Sequence, residues 1–386
     1  MKKGLILIMI LFLFAGCNQL NNENIPNYIT IDEQQFSTAL TTLDLSHINV
    51  TNEDVLLLQY MKNLNDLVVG GVELTNLYPL AQLVNLERLK LGIYRVAYIT
   101  PLAKLGNLSE LELYVIDAYD LTQLANFSNL TSLKITNAHT VAVIEPFFGD
   151  TKPFFGDIKP LANLINLDSL RLSSMSGCVD NITPLSQLKG LTSLDLNFFI
   201  SYLEDITPIS QLTNLTHLSL SGTQVSDLTP LTHLTKLESL WLSDNDISDI
   251  TPISNLSNLN ILVLTTSNIV DIAPLSELMN LDNLLLRSNQ INDIAPLASL
   301  VNLQGLDLNN NQIHDVTSLA GLINLEYLDL GRNEINDITP LYNLVNLKQI
   351  DLRGNPVTDL SPIEHVPWAW RNRTLTWEHL SCKSAL

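Results

Sequence analysis

The polar motif this chain repeats most is an Asp ahead of Ile-Thr-Pro. It stands at Asp249-Ile250-Thr251-Pro252 and, intact or in near copies, begins at Asp227, Asp271, Asp293, Asp337 and Asp359. Carboxylates beside hydroxyls are the groups that acid–base chemistry uses. They are also the groups that open a helical turn: the carboxylate accepts an orphan N–H, and a Pro in the first turn loses no helical bond. Repetition on every turn favours the capping role over catalysis. The seven histidines fall in unrelated phases, and no glycine-rich phosphate loop, H-E-x-x-H or G-x-S-x-G stretch occurs. His379 and Cys382 make half a metal site with no second pair, and Cys178 and Cys382 lie too far apart for a disulfide to be expected. The sequence therefore reads as a non-enzyme, with no catalytic residues, no metal and no cofactor.

Whatever these residues do is set by the element that carries them. Leu240, Leu262, Leu284, Leu306, Leu328 and Ile350 follow one another at intervals of 22 residues, as do Leu67, Leu89, Leu111 and Leu133. Leu43 stands 24 before Leu67, and Leu170, Leu194 and Leu218 are 24 apart, which makes 14 turns. A period in the twenties carrying L-x-x-L-x-L is the signature of leucine-rich repeats. In one turn the inward set is Leu240, Leu242, Ile247, Ile250, Ile253, Leu256 and Leu259. That burial does not offset the ordering of the whole turn, at about 1–2 kcal/mol per residue, so a turn is stable only when stacked on others. Asn245, Asn289, Asn311, Asn333 and Asn355 sit in phase where the chain leaves the strand, and their amides are expected to bond unpaired backbone groups of adjacent turns. The expected fold is an α/β leucine-rich repeat solenoid: a curved right-handed coil with a parallel β-sheet on its concave face and short 3-10 or irregular helical segments on its convex face.

Residues 29–66 read as an N-terminal capping region with the first repeat, since Thr51 or Asn52 ahead of "EDVLLLQYM" has a cap, an acidic first turn and helical spacing. Residues 67–362 form the solenoid proper. From Val72 to Phe199 the Asn slot holds apolar residues instead, so the first half departs from the regular pattern. An insertion at about 139–157 carries the tandem "PFFGDTKPFFGD", with Phe147, Phe148, Phe154 and Phe155. Two readings of it stand: an exposed partner-binding loop, or a duplication whose rings fold back onto the solenoid edge. Residues 363–386, with three of the four tryptophans, read as a C-terminal cap.

Residues alternating with the core leucines point to the concave face. Their middle column runs from Asp44 to Asp351, and in it Trp241, Val263 and Leu285 form an apolar stripe beside Ile261. Trp is the residue most enriched at binding hot spots, so the stripe is expected to anchor a protein partner; mutual covering of the side chains, or simple strand preference, is the alternative. Next to it Asp307, Asp329 and Asp351 are adjacent like charges, which destabilise a sheet unless compensated. Arg287, Arg332 and Arg353 are the expected compensation, with a cationic partner group or a bound divalent ion as the alternative, and Arg287, Asp307 and Asp329 join the stripe as expected partner-binding residues.

The repeat cores, Leu240-x-Leu242-x-x-Asn245-x-Ile247 with Asp249-Ile250-Thr251-Pro252, resemble the internalin-type 22-residue repeat proteins of bacterial surfaces from Leu40 to about Val366. The resemblance implies protein binding through the concave face. Residues 1–16, with Lys2, Lys3 and an apolar run too short to span a bilayer, read as a signal peptide. Phe14-Ala15-Gly16-Cys17 resembles the lipobox of bacterial lipoproteins, which implies lipidation of Cys17, a polar tether over 17–28 reaching roughly 35 Å, and a place on the extracytoplasmic face of a bacterial cell membrane. The formal charge of −20 repels phosphate backbones and argues against nucleic acid. A monomer contacting a host or envelope protein is the expected form, with an envelope scaffold or adhesin working through its edges or the phenylalanine loop as the alternative. Substituting Cys17→Ser is expected to move the protein from the detergent phase to the aqueous phase in detergent partitioning. Unchanged partitioning refutes lipidation.

Overall fold

Each pass of the repeat becomes one coil. A short strand carries the phase-marking leucine, the chain turns at the in-phase Asn, a 3-10 turn crosses the convex side, and a tight bend returns it to the next strand. The computed structural model describes residues 25–70, 74–118, 120–137, 157–174, 179–198 and 203–369. Over these residues the strands form one 15-stranded sheet in strict chain order, from Thr42–Leu45 to Trp368–Ala369. All its pairings are parallel and in register, so Leu240 lies beside Leu218 and Leu262, and the marker leucines make one column. The last strand, Trp368–Ala369, is one more than the 14 marked by leucines, because the segment read as a cap adds a strand beside Gln349–Asp351.

An antiparallel hairpin, Tyr28–Ile31 with Gln34–Ser37, precedes the sheet, and the helix Asn52–Leu58 crosses the convex side of the first coil. Thr51 and Asp54 form a reciprocal capping box at its start: Asp54 N–H donates to Thr51 Oγ1 at 3.3 Å, and Thr51 N–H donates to Asp54 Oδ2 at 2.9 Å. Val55 and Leu58 close the spine beneath it. One continuous hydrophobic core runs from Ile29 to Val366. Between Leu133 and Leu170 the sheet is continuous, since Ser132–Asn137 pairs directly with Ser169–Ser174.

The Asn ladder has the geometry expected of it. Asn289 Oδ1 accepts the Ile269 N–H at 3.1 Å, while its Nδ2 donates to the carbonyls of Leu264 and Leu286 at 2.8 and 2.9 Å. Asn311 and Asn333 repeat the pattern one coil on, and Asn245 does so earlier. The residue before each ladder position is left-handed: Asp244, Thr266, Ser288, Asn310 and Arg332 have φ of 55–59°, flanked by Gly222 and Gly354 in the same slot. Where the ladder is missing the strands run on: Arg88–Arg95 and Glu110–Asp117 are eight residues long, against three in Ser239–Trp241. There Leu89, Leu91 and Ile93, and Leu111, Leu113 and Val115, keep alternating inward through the slot that is left-handed in the regular coils.

The repeated Asp acts one residue earlier than an N-cap. The 3-10 turn Thr251–Ile253 has Ile250 at the capping position, and Asp249 Oδ1 accepts the Thr251 N–H at 2.8 Å, closing an Asx turn. The same bond recurs from Asp227, Asp293 and Asp337. Hydrogen bonds from the Thr251 hydroxyl and amide hold Asp249 below the usual carboxylate range.

One rung of the ladder is defective. The slot at 267 holds Ser, whose buried hydroxyl has no hydrogen-bond partner, and the bond Asn289 accepts from Ile269 has no counterpart at Ile247 among the described residues. Ser267→Asn is expected to stabilise the protein by about 1 kcal/mol, and Asn289→Ala to destabilise it by about 3 kcal/mol through orphaned backbone groups. Chemical denaturation measures both; unchanged stability in both variants would show that the ladder contributes nothing.

Candidate functional site

The concave surface is three outward columns wide. Around the apolar stripe the middle column holds Ser219, Trp241, Val263, Leu285 and Asp307, flanked by Ser239, Ile261 and Asn283 on one side and Ser243, Thr265 and Arg287 on the other. Strict register sets these columns at strand spacing, about 4.8 Å, so a short side chain in the middle column is enclosed on four sides. Val263 is accordingly 0% exposed and Leu285 5%. This corrects the expectation of an open apolar stripe: Val263 and Leu285 are a sealed floor, outside the main core but covered by their neighbours. Trp241 and Ile261 remain half-buried and accessible. The indole of Trp241 lies on the concave side and not in the spine, with its Nε1–H donating to Ser239 Oγ at 2.7 Å.

Along the N-terminal part of the same face, charges neutralise one another. Arg88 pairs with Asp66 at 2.9 Å, Lys90 and Lys134 flank Glu112, and Tyr114 donates to Glu112 Oε1 at 2.6 Å with Lys90 5.0 Å from its ring centre. Arg171 reaches Asp195 at 2.6 Å, yet burial still pushes the Asp195 carboxyl up. At the other end the row Asp307, Asp329, Asp351 lies side by side on adjacent strands. The expected compensation is only partly present. Arg353 pairs with Asp351, Arg332 is exposed at a left-handed turn, and Arg287 acts on Asp307 and Asp329 through space without an ion pair. Asp307 is pushed up to about 7, first by burial and then by the Asp329 charge; burial also raises Asp329.

An apolar ridge escaped the sequence reading. Met279, Val301, Ile323 and Val345 stand 22 residues apart, just before the bends that lead into four consecutive strands, and are 54, 49, 52 and 70% exposed. The signal was present as the x of L-x-N-L, since the following Asn is tied to the previous coil: Asn302 Nδ2 donates to the Met279 carbonyl at 2.8 Å. A shallow groove on the convex side is lined by Asp120, Thr122, Asp157 and Lys159. Among the described residues no three His, Cys, Asp or Glu side chains are grouped to hold a metal ion, and no helix is long and apolar enough to cross a membrane. Cys17, Cys178, His379, Cys382 and the four phenylalanines Phe147, Phe148, Phe154 and Phe155 lie outside the described residues.

Solved structures of similar geometry include bacterial and plant proteins. A family model described as leucine rich repeats (2 copies) matches residues 235–277, 280–321 and 323–365. The crystal structure of internalin F from Listeria monocytogenes is 33% identical over 82% of this chain and 89% of its own, with a TM-score of 0.68. The chain belongs to the internalin family of leucine-rich repeat proteins. The fold alone is shared with a leucine-rich repeat protein of Leptospira interrogans, 20% identical over 86% of this chain and 96% of that one at a TM-score of 0.63. It is likewise shared with a plant peptide hormone receptor solved in complex with RGF2, 20% identical over 83% of this chain and 52% of that one at 0.58. None of the curated proteins compared matches the sequence.

The carboxylate row gives this internalin-like chain a pH-dependent stability. Asp307 holds its proton more tightly when folded than at its ordinary value of 3.8, so its contribution is fully present below about pH 4 and is lost as pH rises through about 7. Asp307→Asn keeps the shape of the protonated acid and escapes that loss. The variant and wild type are expected to be equally stable near pH 4, and the variant more stable by on the order of 3 kcal/mol at pH 8. Denaturation curves at the two pH values check this; an Asn variant less stable at pH 8 would contradict the burial of an unpaired carboxyl.

Proposed function

We propose that this protein is a non-catalytic, lipid-tethered module of the bacterial cell surface that binds a protein partner through the concave face of its solenoid. The observation that carries the reading is Trp241: a half-buried indole on the concave sheet, next to the accessible Ile261 and over a sealed apolar floor. A rigid aromatic on a rigid sheet costs little conformational entropy on binding, which is why such residues dominate interface energies. Family membership adds to this, because the internalin resemblance implies concave-face protein binding. The tether rests on the lipobox-like Phe14-Ala15-Gly16-Cys17 and places the sheet outside the cell, where a basic or neutral partner meets an acidic surface.

The second reading is an envelope scaffold or adhesin that works through its edges. The exposed ridge Met279, Val301, Ile323 and Val345 favours it, because contiguous apolar surface normally marks a contact. A pull-down from envelope and host-cell extracts, with the protein lacking residues 1–17 as bait, separates the two. Trp241→Ala is expected to weaken capture of the partner at least tenfold, the loss of a hot-spot aromatic being about 2 kcal/mol or more. Ile323→Asp/Val345→Asp on the ridge and deletion of 146–157 are expected to leave capture unchanged. Loss with either of those variants, and none with Trp241→Ala, would replace the concave reading with the edge reading.

A further inference from the structure

The middle column of the concave face contains four buried carboxylates: Asp195, Asp307, Asp329 and Asp351. Two of them have a cationic partner in the chain, Arg171 for Asp195 and Arg353 for Asp351. Asp307 and Asp329, side by side on neighbouring strands, have no ion pair among the described residues, and Arg287 acts on them only through space. Their inner oxygens are occupied. Asp307 Oδ1 accepts the Asn309 N–H at 2.9 Å, and Asp329 Oδ1 accepts the Gly331 N–H and Asn309 Nδ2, both at 2.9 Å. Their outer oxygens, Oδ2 of each, accept no hydrogen bond from the described residues and are not sealed from solvent.

Asn309 supplies an independent sign that a donor is missing. It is 7% exposed, its amide group is held against Asp329, and its Oδ1 accepts nothing. Gly331 makes room for that arrangement: a Cβ there would come within 2.6 Å of Asn309 Nδ2 and 3.2 Å of Asp329 Oδ1. The cluster therefore has acceptors in excess of its donors, and its one acting cation, Arg287, makes no ion pair with it among the described residues. It adjoins the sealed floor at Leu285, one strand away, with Ile261 and Trp241 on the strands beyond.

We propose that Asp307 and Asp329 form the seat for one arginine side chain of a protein partner, whose guanidinium spans the two outer oxygens while the partner's neighbouring apolar residue rests against Ile261 and Trp241. The inference rests on the concave-face reading above and specifies its ligand. A guanidinium fits because it offers five donors in a planar fork and carries the charge that a neutral donor lacks. Carboxylates at strand spacing, about 4.8 Å apart, present their oxygens side by side to such a fork. An ammonium is a point charge, and it would satisfy one oxygen well and the pair less well.

The test uses the full chain and twelve-residue linear peptides selected on it from a random display library at pH 8. Each selected peptide is remade with lysine, and with citrulline, in place of arginine; citrulline keeps the shape and removes the charge. Selected peptides are expected to carry arginine and to bind at least tenfold more weakly as the citrulline form, with the lysine form between. Asp307→Asn/Asp329→Asn is expected to lose the same tenfold toward the arginine form and nothing toward the citrulline form. Glu204→Gln/Glu277→Gln removes two exposed charges elsewhere and is expected to bind within twofold of wild type. Citrulline peptides that bind as tightly as arginine peptides overturn the inference, and so does an equal loss in the Glu204/Glu277 variant, which would reduce the effect to overall charge. Peptides that depend on Trp241 and ignore both aspartates overturn the seat and leave the concave reading standing. Peptides indifferent to Trp241 as well, or no selected peptides at all, count against both.

Discussion

No coil of this protein can bury its own apolar residues. A strand of three residues and a 3-10 turn of three to five enclose too little to offset the ordering of the chain. Each coil is therefore stable only against the coil before and the coil after, and stacking must be in register, because the buried amides of the Asn ladder bond across coils as well as within them. The marker leucines, the inward isoleucines, the ladder and the Asx turns are four expressions of that one requirement. The ends have no neighbour to lean on. The hairpin and the boxed helix close one, and the strand Trp368–Ala369 extends the other.

Register then dictates the chemistry of the concave face. A column repeats one slot at strand spacing, so whatever occupies it meets its copies directly. Where neighbouring turns alternate in sign, as at Lys90, Glu112 and Lys134, the column neutralises itself. Where they repeat, as at Asp307, Asp329 and Asp351, the face carries an electrostatic debt that Arg353 settles only at its end. The three apolar turns between these regimes produce a floor that is closed at Val263 and Leu285 and open at Trp241 and Ile261. A surface of this kind is rigid, and its binding properties follow from the side chains that register places together.

Much of this was legible in the sequence, because a repeated structural slot prints itself as a repeated letter. The period gave the strands and their order, the Asn positions gave the ladder, and the acidic start after Thr51 gave the helix. The less legible features were those set by neighbours. Exposure of Val263 and Leu285 depends on side chains 22 residues away on the adjacent strands, which alternation alone does not reveal. The left-handed slot was hidden because Gly, Asp, Thr, Ser, Asn and Arg all fill it, the ladder forcing a conformation that the residue type does not announce. The long strands of the first half follow from what the ladder slot lacks, and the ridge at Met279, Val301, Ile323 and Val345 is masked because each of its residues directly follows a core leucine.

The continuity of the spine is the claim on which the shape of the binding face depends, and amide hydrogen exchange along the whole chain tests it most directly. A single stacked array exchanges most slowly in its central strands, from about residue 194 to 330, and progressively faster toward both ends, with slow amides on both sides of the 138–156 segment. A seam of fast exchange between the strands at Leu133 and Leu170, dividing the chain into two units that open independently, would contradict it.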